Sequence, residues 1–224
     1  MLTLRGALCC LAIVAILPFM HACAAGASAG EMDVCLVKSF RTGAGGMRLP
    51  AWRPYLLFKD GTAYAEPKLA PDQMDLARSR QNEAERWGTW TKRAGGKTLS
   101  MPGHALMPTA QCVAPAAAGT SIQGSYKHVG GGGNTISGGH ASFVHSDHYL
   151  FYSDGRFRCG SFSGLVSPGA SAATHSASRT GHYRIEGYSI DLRYDDGGEA
   201  HLFFYADSEQ LLHIGGDDYV PASE

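Results

Sequence analysis

The chain has 224 residues, 19 of them basic and 20 acidic, and only 17% of its residues are charged. No basic stripe or cluster is present, which excludes the electrostatic footprint of a nucleic-acid-binding protein. The combination of 29 glycines with so few charges suits a β protein with many tight turns better than a helical one.

Arg5 precedes an uncharged run, Ala7–Met20. The run is shorter than the stretch of about 20 residues that spans a bilayer, and small residues follow it, so residues 1–24 read as a signal peptide. Ala22-Cys23-Ala24 and Ala27-Ser28-Ala29 both offer small-x-small cleavage sites, the later one placing the cut at residue 29. Alternatively, Met20-His21-Ala22-Cys23 resembles the lipobox of bacterial lipoproteins, in which Cys23 would be the acylated residue. The expected destination is the periplasm, the outer membrane as a lipoprotein, or the exterior. Membrane contact is expected only through a lipid on Cys23.

The remaining residues divide into two related halves, 31–113 and 120–224, joined by the linker Ala114–Gly119. Tyr55-Leu56-Leu57-Phe58-Lys59-Asp60-Gly61 in the first is matched by Tyr149-Leu150-Phe151-Tyr152-Ser153-Asp154-Gly155 in the second. Gly88-Thr89-Trp90 is likewise matched by Gly181-His182-Tyr183, and Leu99 by Leu192, at a constant offset of about 93–94 residues. Each copy reads as an aromatic strand, an Asp-Gly turn, an insertion, then a Gly-x-aromatic strand with its return. The first insertion, within 71–85, opens with Pro71 and continues in good helix formers, predicting a short helix. The second, Gly160–Thr180, is rich in Ser, Ala and Gly and reads as a mobile loop, as does Gly130–Gly133.

Gly181–Tyr205 reads as three antiparallel strands. Tyr188, Ile190, Leu192 and Tyr194 alternate with polar residues, the period of a half-buried strand. Glu186-Gly187 is the expected first turn, which sets Ile185 opposite Tyr188, and Asp195–Gly198 the second. His201–Tyr205 is apolar on both faces, and Gly215-Gly216-Asp217 turns the chain into a last short strand, Asp218–Val220.

Gly124-Ser125-Tyr126, then the Tyr-Leu-Phe-Tyr-Ser-Asp-Gly strand and turn, then Gly-x-Tyr-x-Ile-x-Gly at 181–187, resemble the small lipocalin-like β-barrel domains of bacterial envelope proteins. The resemblance covers 122–221, and the first half only in part. It implies a barrel or a strongly curved sheet and a lipoprotein location; its motifs are strand and turn motifs, so it implies no functional residue. The expected fold is therefore mainly β: two related antiparallel halves forming a curved sheet or lipocalin-like barrel, with a short helix inserted in the first.

Cys35 and Cys112 bracket the first half, and export permits a disulfide between them. Closing that loop would contribute about 4 kcal/mol. Cys159 then stands alone as a buried thiol, although pairing through Cys159 also fits the sequence.

The chain has ten histidines, most of them after residue 120. In the hairpin register above, His182 faces Asp191, and a three-residue loop at 195–197 sets His201 on its other side. Such a His182–Asp191–His201 row would suit zinc or copper. His145 and His148, with Asp147 between them, form a second candidate ligand set that a loop could fold around a metal. Against these stand an ordinary cross-strand pair and solvated histidines. Trp52, Tyr55, Phe58, Trp87 and Trp90 are candidates for the lining of a ligand cavity or for core. HExxH, CxxC and EF-hand motifs do not occur, so no cofactor is required by the sequence. The expected function is a non-catalytic binding or interaction module of the envelope, with an envelope protein or a small apolar ligand as partner. The alternatives are a carrier of an apolar ligand or metal ion, and a hydrolase without a recognisable motif.

Overall fold

The Asp-Gly pairs turn the chain in the same way in both halves. Gly61 and Gly155 share a φ of +84°, a conformation that glycine adopts without strain. The preceding aspartate accepts a hydrogen bond from the amide two residues on, Thr62 at 2.9 Å and Arg156 at 3.2 Å. The correspondence continues across the insertions: the Trp90 amide donates to Gly61 O at 2.9 Å and the Tyr183 amide to Gly155 O at 2.8 Å. Behind these bonds, a Cβ on Gly88 would lie 2.3 Å from Ser100 O, and one on Gly181 would lie 2.1 Å from Arg193 O. Both positions demand glycine because a neighbouring strand's backbone occupies the side-chain space.

A computed structural model describes residues 31–42, 48–133, 142–207 and 210–222. The expected signal peptide, Cys23 and His140 lie outside them. Among the described residues, no helix is long and apolar enough to cross a membrane.

The first half forms strands β1 (Met32–Thr42), β2 (Arg48–Phe58), β3 (Thr62–Ala65), β4 (Trp87–Arg93), β5 (Gly96–Ser100), β6 (Met107–Pro108) and β7 (Gln111–Val113), with helix α1 (Leu76–Asn82) between β3 and β4. They make a curled, open antiparallel sheet in the order β6-β5-β4-β3-β2-β1-β7. The second half forms β8 (Gly124–Gly133), β9 (Ser142–Phe151), β10 (Arg156–Ser167), β11 (Ala170–His175), β12 (Arg179–Glu186), β13 (Ser189–Tyr194), β14 (Glu199–Ala206), β15 (Leu212–Ile214) and β16 (Asp217–Pro221). Pairing of β9 with β10 closes eight of these into an antiparallel barrel, leaving β11 as an extra strand on β10.

Several expectations are corrected. The helix is narrower than 71–85: single 3-10 turns at Pro71–Gln73 and Ala84–Arg86 flank α1, whose first turn is capped by the Asp75 carboxylate. Gly160–Thr180 is not a loop but the continuation of β10, then β11 and the start of β12. Its alternation is silent because Ser, Ala and Gly give no hydrophobic contrast between faces. Gly130–Gly133 lies in β8, and a Cβ on Gly131 would sit 2.6 Å from Phe143 O, so the glycines there admit a close strand. The first hairpin turn is Gly187-Tyr188 rather than Glu186-Gly187, so Ile185 faces Ile190. A shift of two residues preserves the faces, so Ile190, Leu192 and Tyr194 keep the expected face, whereas Tyr188 falls in the turn and packs in the cluster between the halves instead.

Three hydrophobic clusters result. One fills the barrel, with Phe151, Phe157, Tyr183, Ile190, Leu192 and Phe204 among its members. A second, including Cys35, Tyr55, Leu57 and Leu99, lines the inner face of the open sheet. The third joins the halves: Val34, Leu36, Leu56 and Phe58 of the open sheet pack against Tyr188, Phe203 and Tyr205. β14 thus sends Phe204 into the barrel and Phe203 and Tyr205 into the junction, which explains a strand apolar on both faces.

Candidate functional site

The predicted disulfide is present: Cys35 and Cys112 face each other across β1 and β7 and are bonded, while Cys159 is a free thiol. Burial raises the Cys159 thiol above its ordinary pKa, which disfavours the nucleophilic thiolate.

Of the predicted row, one pair forms. His201 lies opposite Asp191 as expected, and its Nδ1 bonds the Asp191 carboxylate. His182 faces Arg193 instead, because the turn sits two residues' register away from the expected one. The other partner of His201 comes from the first half: its Nε2 lies 2.8 Å from Asp72 Oδ1. Both ring nitrogens therefore point at groups that only accept, an arrangement that the imidazolium satisfies. Burial pulls the His201 pKa down, but hydrogen bonds to Asp72 and Asp191 outweigh it, and the net direction is up.

His145 and Asp147 lie within β9, not in a loop before it. His145 Nε2 donates to Asp147 at 2.8 Å, and its Nδ1 lies 2.9 Å from Ser163 Oγ. His148 points to the opposite face by strand parity, so the two histidines do not converge. Among the described residues, no group of three or more His, Cys, Asp or Glu is placed to hold a metal ion. The five aromatics also separate: Tyr55 and Trp90 pack on the inner face of the open sheet, whereas Trp52, Phe58 and Trp87 belong to the junction.

Three cavities adjoin these groups; the one that His145 and Ser163 line, of 410 Å³, is a shallow, largely apolar hollow over β9, β10 and β11. Another, of 370 Å³ at the barrel mouth, is lined by Asp147, His148, Tyr149, Cys159, Arg179 and Tyr219 among others. Its charged groups are already paired, Asp147 with His145 and Arg179 bidentately with Asp196 at 2.8 Å. The third is an open groove of 450 Å³ between β3, the 68–75 segment and α1.

The groove beside α1 is the better-built site. The chain leaves β3 through Glu66, whose φ of +52° is strained for a residue with a side chain. Arg86 holds it there by donating to Glu66 O and, at 2.9 Å, to Ala65 O, while the Glu66 carboxylate pairs with Arg53 at 2.9 Å. The next residues lie against β14. Phe203 N donates to Lys68 O at 3.0 Å and Leu69 bridges Leu202, along an edge of β14 that β15 does not reach. The groove wall is a bonded network: Tyr64 donates to Glu83 at 2.8 Å, Ser79 to the same carboxylate at 2.6 Å, and Trp87 Nε1 to Ser79 Oγ at 3.0 Å. Hydrogen bonds from Ser79 and Tyr64 hold the Glu83 carboxyl below its ordinary pKa, and burial with the Glu83 bond pushes Tyr64 up to about 12. At neutral pH the wall therefore has one protonation state, a fixed surface rather than an acid–base pair.

No known family model, curated protein or solved structure matches this chain.

Sequence reasoning missed Asp72 and the groove. Asp72 sits more than a hundred residues from His201, and no local pattern connects them. The one local sign of the groove was Pro71 with the helix formers after it, which marked an ordered insertion without showing what it bordered.

Proposed function

We propose that the chain is an exported, non-catalytic binding module of the bacterial envelope that engages its ligand or partner through the groove beside α1. The observation that carries this reading is the groove itself: an apolar floor of Tyr64, Leu69 and Met74 beside a hydrogen-bonded wall, in a volume of 450 Å³. That volume lies within the range of about 300–1,000 Å³ typical of small-molecule sites. The leader, Arg5 followed by the uncharged run Ala7–Met20, and the Cys35–Cys112 disulfide support export to an oxidising compartment. The closed eight-strand barrel agrees with the likeness to lipocalin-like envelope domains.

The test measures heat stability against a panel of envelope constituents: fatty acids, phospholipids, glycan fragments and periplasmic proteins. A ligand at a hundred times its dissociation constant stabilises the folded state by about 2.7 kcal/mol. The expected result is a rise in melting temperature that disappears in Asn82→Trp, which sets an indole over the groove at the end of α1. Chemical turnover of a panel member, or stabilisation unaffected by Asn82→Trp, would overturn the reading.

A further inference from the structure

We propose that the groove beside α1 takes a small single-chain amphiphile with an anionic head, an alkyl carboxylate or its phosphate-headed equivalent. The proposal rests on the binding-module reading and names the ligand class of that site.

The apolar part of the argument concerns Leu69. It is 51% exposed although large and aliphatic. It cannot retreat, because the backbone of 68–70 is fixed on β14 by the Lys68 O and Ala70 N hydrogen bonds and the Leu69–Leu202 bridge. Beside it, Met74 and Tyr64 are almost wholly buried and form the floor. An alkyl chain laid along this floor would remove fixed apolar surface from water at no cost in protein rearrangement.

The polar part comes from accounting for the charges that line the groove. Glu83 accepts from Tyr64, Ser79 and Arg86, and Asp75 accepts from the Arg78 amide at the start of α1. Arg86 is committed to Glu83 and to the carbonyls of Ala65 and Glu66. Lys68 and Arg78 also line the groove, and neither has an ion-pair partner among the described residues. Lys68 is further restrained by its stem, which lies so close over Gly216 that a Cβ there would sit 3.1 Å from Lys68 Cγ. Asp75 meets only a neutral amide and keeps its charge, so the groups left without an ion pair at the rim are Lys68, Arg78 and Asp75, a net charge of one positive beside an apolar floor. A neutral amphiphile would leave that net positive charge unanswered, and a cationic one would be repelled by it.

The experiment uses the full chain labelled with [methyl-13C]methionine, and dodecanoate as the probe below its micelle concentration. Met74 is assigned through Met74→Leu, a volume-conserving change. The expected result is a saturable shift of the Met74 methyl with Met101, in the inner face of the open sheet, unmoved. Dodecanol and dodecylammonium should bind at least tenfold more weakly. Lys68→Gln/Arg78→Gln, both at exposed positions, should weaken dodecanoate about tenfold and flatten its dependence on salt. Dodecanol binding as tightly as dodecanoate would overturn the anionic head and leave the binding-module reading standing. A Met74 methyl unmoved by all three probes would overturn the amphiphile class, whereas heat stabilisation by another envelope constituent, lost in Asn82→Trp, would still support the reading. A dodecyl phosphate control separates the head groups: preference for it over dodecanoate assigns a phosphate head, and the reverse a carboxylate.

Discussion

The two halves share a hairpin plan, yet one closes into a barrel and the other remains an open, curled sheet. The difference is one strand. In the barrel, β15 links β14 to β16; in the first half, β6 and β7 occupy the corresponding ends with no strand between them. The interiors differ to match. Where the barrel pairs Tyr126 with Tyr149, the open sheet pairs Cys35 with Tyr55; where the barrel pairs Phe151 with Phe157, the open sheet pairs Leu57 with Ala63. A closed eight-strand barrel needs bulky side chains to fill its middle. An open sheet needs less filling but must hold its own margin. Here β7 consists of three residues, too few for a strong ladder, and the Cys35–Cys112 disulfide fastens it to β1. One half closes by the pairing of β9 with β10 around a packed interior, and the other stays open with its last strand fastened by a covalent bond.

That contrast can be broken most severely at the bond. Replacing Cys35 and Cys112 by alanine should cost about 4 kcal/mol. Hydrogen exchange should then speed up in β1 and β7 while β12 and β13 keep their protection; equal loss in both halves would show that the disulfide does not act locally. A smaller effect is expected from the matched glycines. Gly181→Ala should cost about 3 kcal/mol through overpacking, read from the denaturant midpoint. Gly88→Ala should cost less, because the open sheet can yield at its margin and one of the close contacts to the added Cβ is the flexible Met101 sulfur. A larger loss from Gly88→Ala would contradict the difference in closure.

The smallest effect concerns the latch between the halves. The pKa of His201 is raised above its ordinary 6.5 in the folded state. Its contribution to stability is then fully present below about 6.5 and lost as pH rises through the higher folded value. The wild type should therefore lose stability between pH 6 and 8 relative to His201→Gln, and Asp72→Asn should narrow that pH dependence. An unchanged slope in both variants would remove the latch. No other acidic partner acts on His201 besides Asp72 and Asp191 among the described groups that shift it, and burial opposes both.

Much of this architecture was legible because the signals were local. The duplicated Tyr-Leu-x-Phe/Tyr-x-Asp-Gly stretches fixed two hairpins, and the alternation from Ile190 to Tyr194 fixed which residues face the barrel interior. The pairing of Cys35 with Cys112 could be chosen because the two cysteines flank one repeat. Register was legible only modulo two: a turn at Gly187-Tyr188 and one at Glu186-Gly187 put Ile185, Ile190 and Leu192 on the same face, so the alternation cannot choose between them, and His182 lost its expected partner. The β10–β11 hairpin was hidden by residues too small to reveal a face. The candidate groove depends on Lys68–Ala70 meeting β14, and a contact between such distant segments leaves no periodic trace in either.

The same meeting of segments constrains how the protein can be made. Val34, Leu36, Leu56 and Phe58 emerge from the ribosome well before Tyr188, Phe203 and Tyr205, the residues that cover them. Long-range partners of this kind slow folding, since a large loop must close before the contact is gained. During synthesis the first half must wait with an apolar face in water, a state prone to aggregation and a natural client for chaperones. The two halves share one core cluster, and the first is therefore expected to complete its packing only when the second is made.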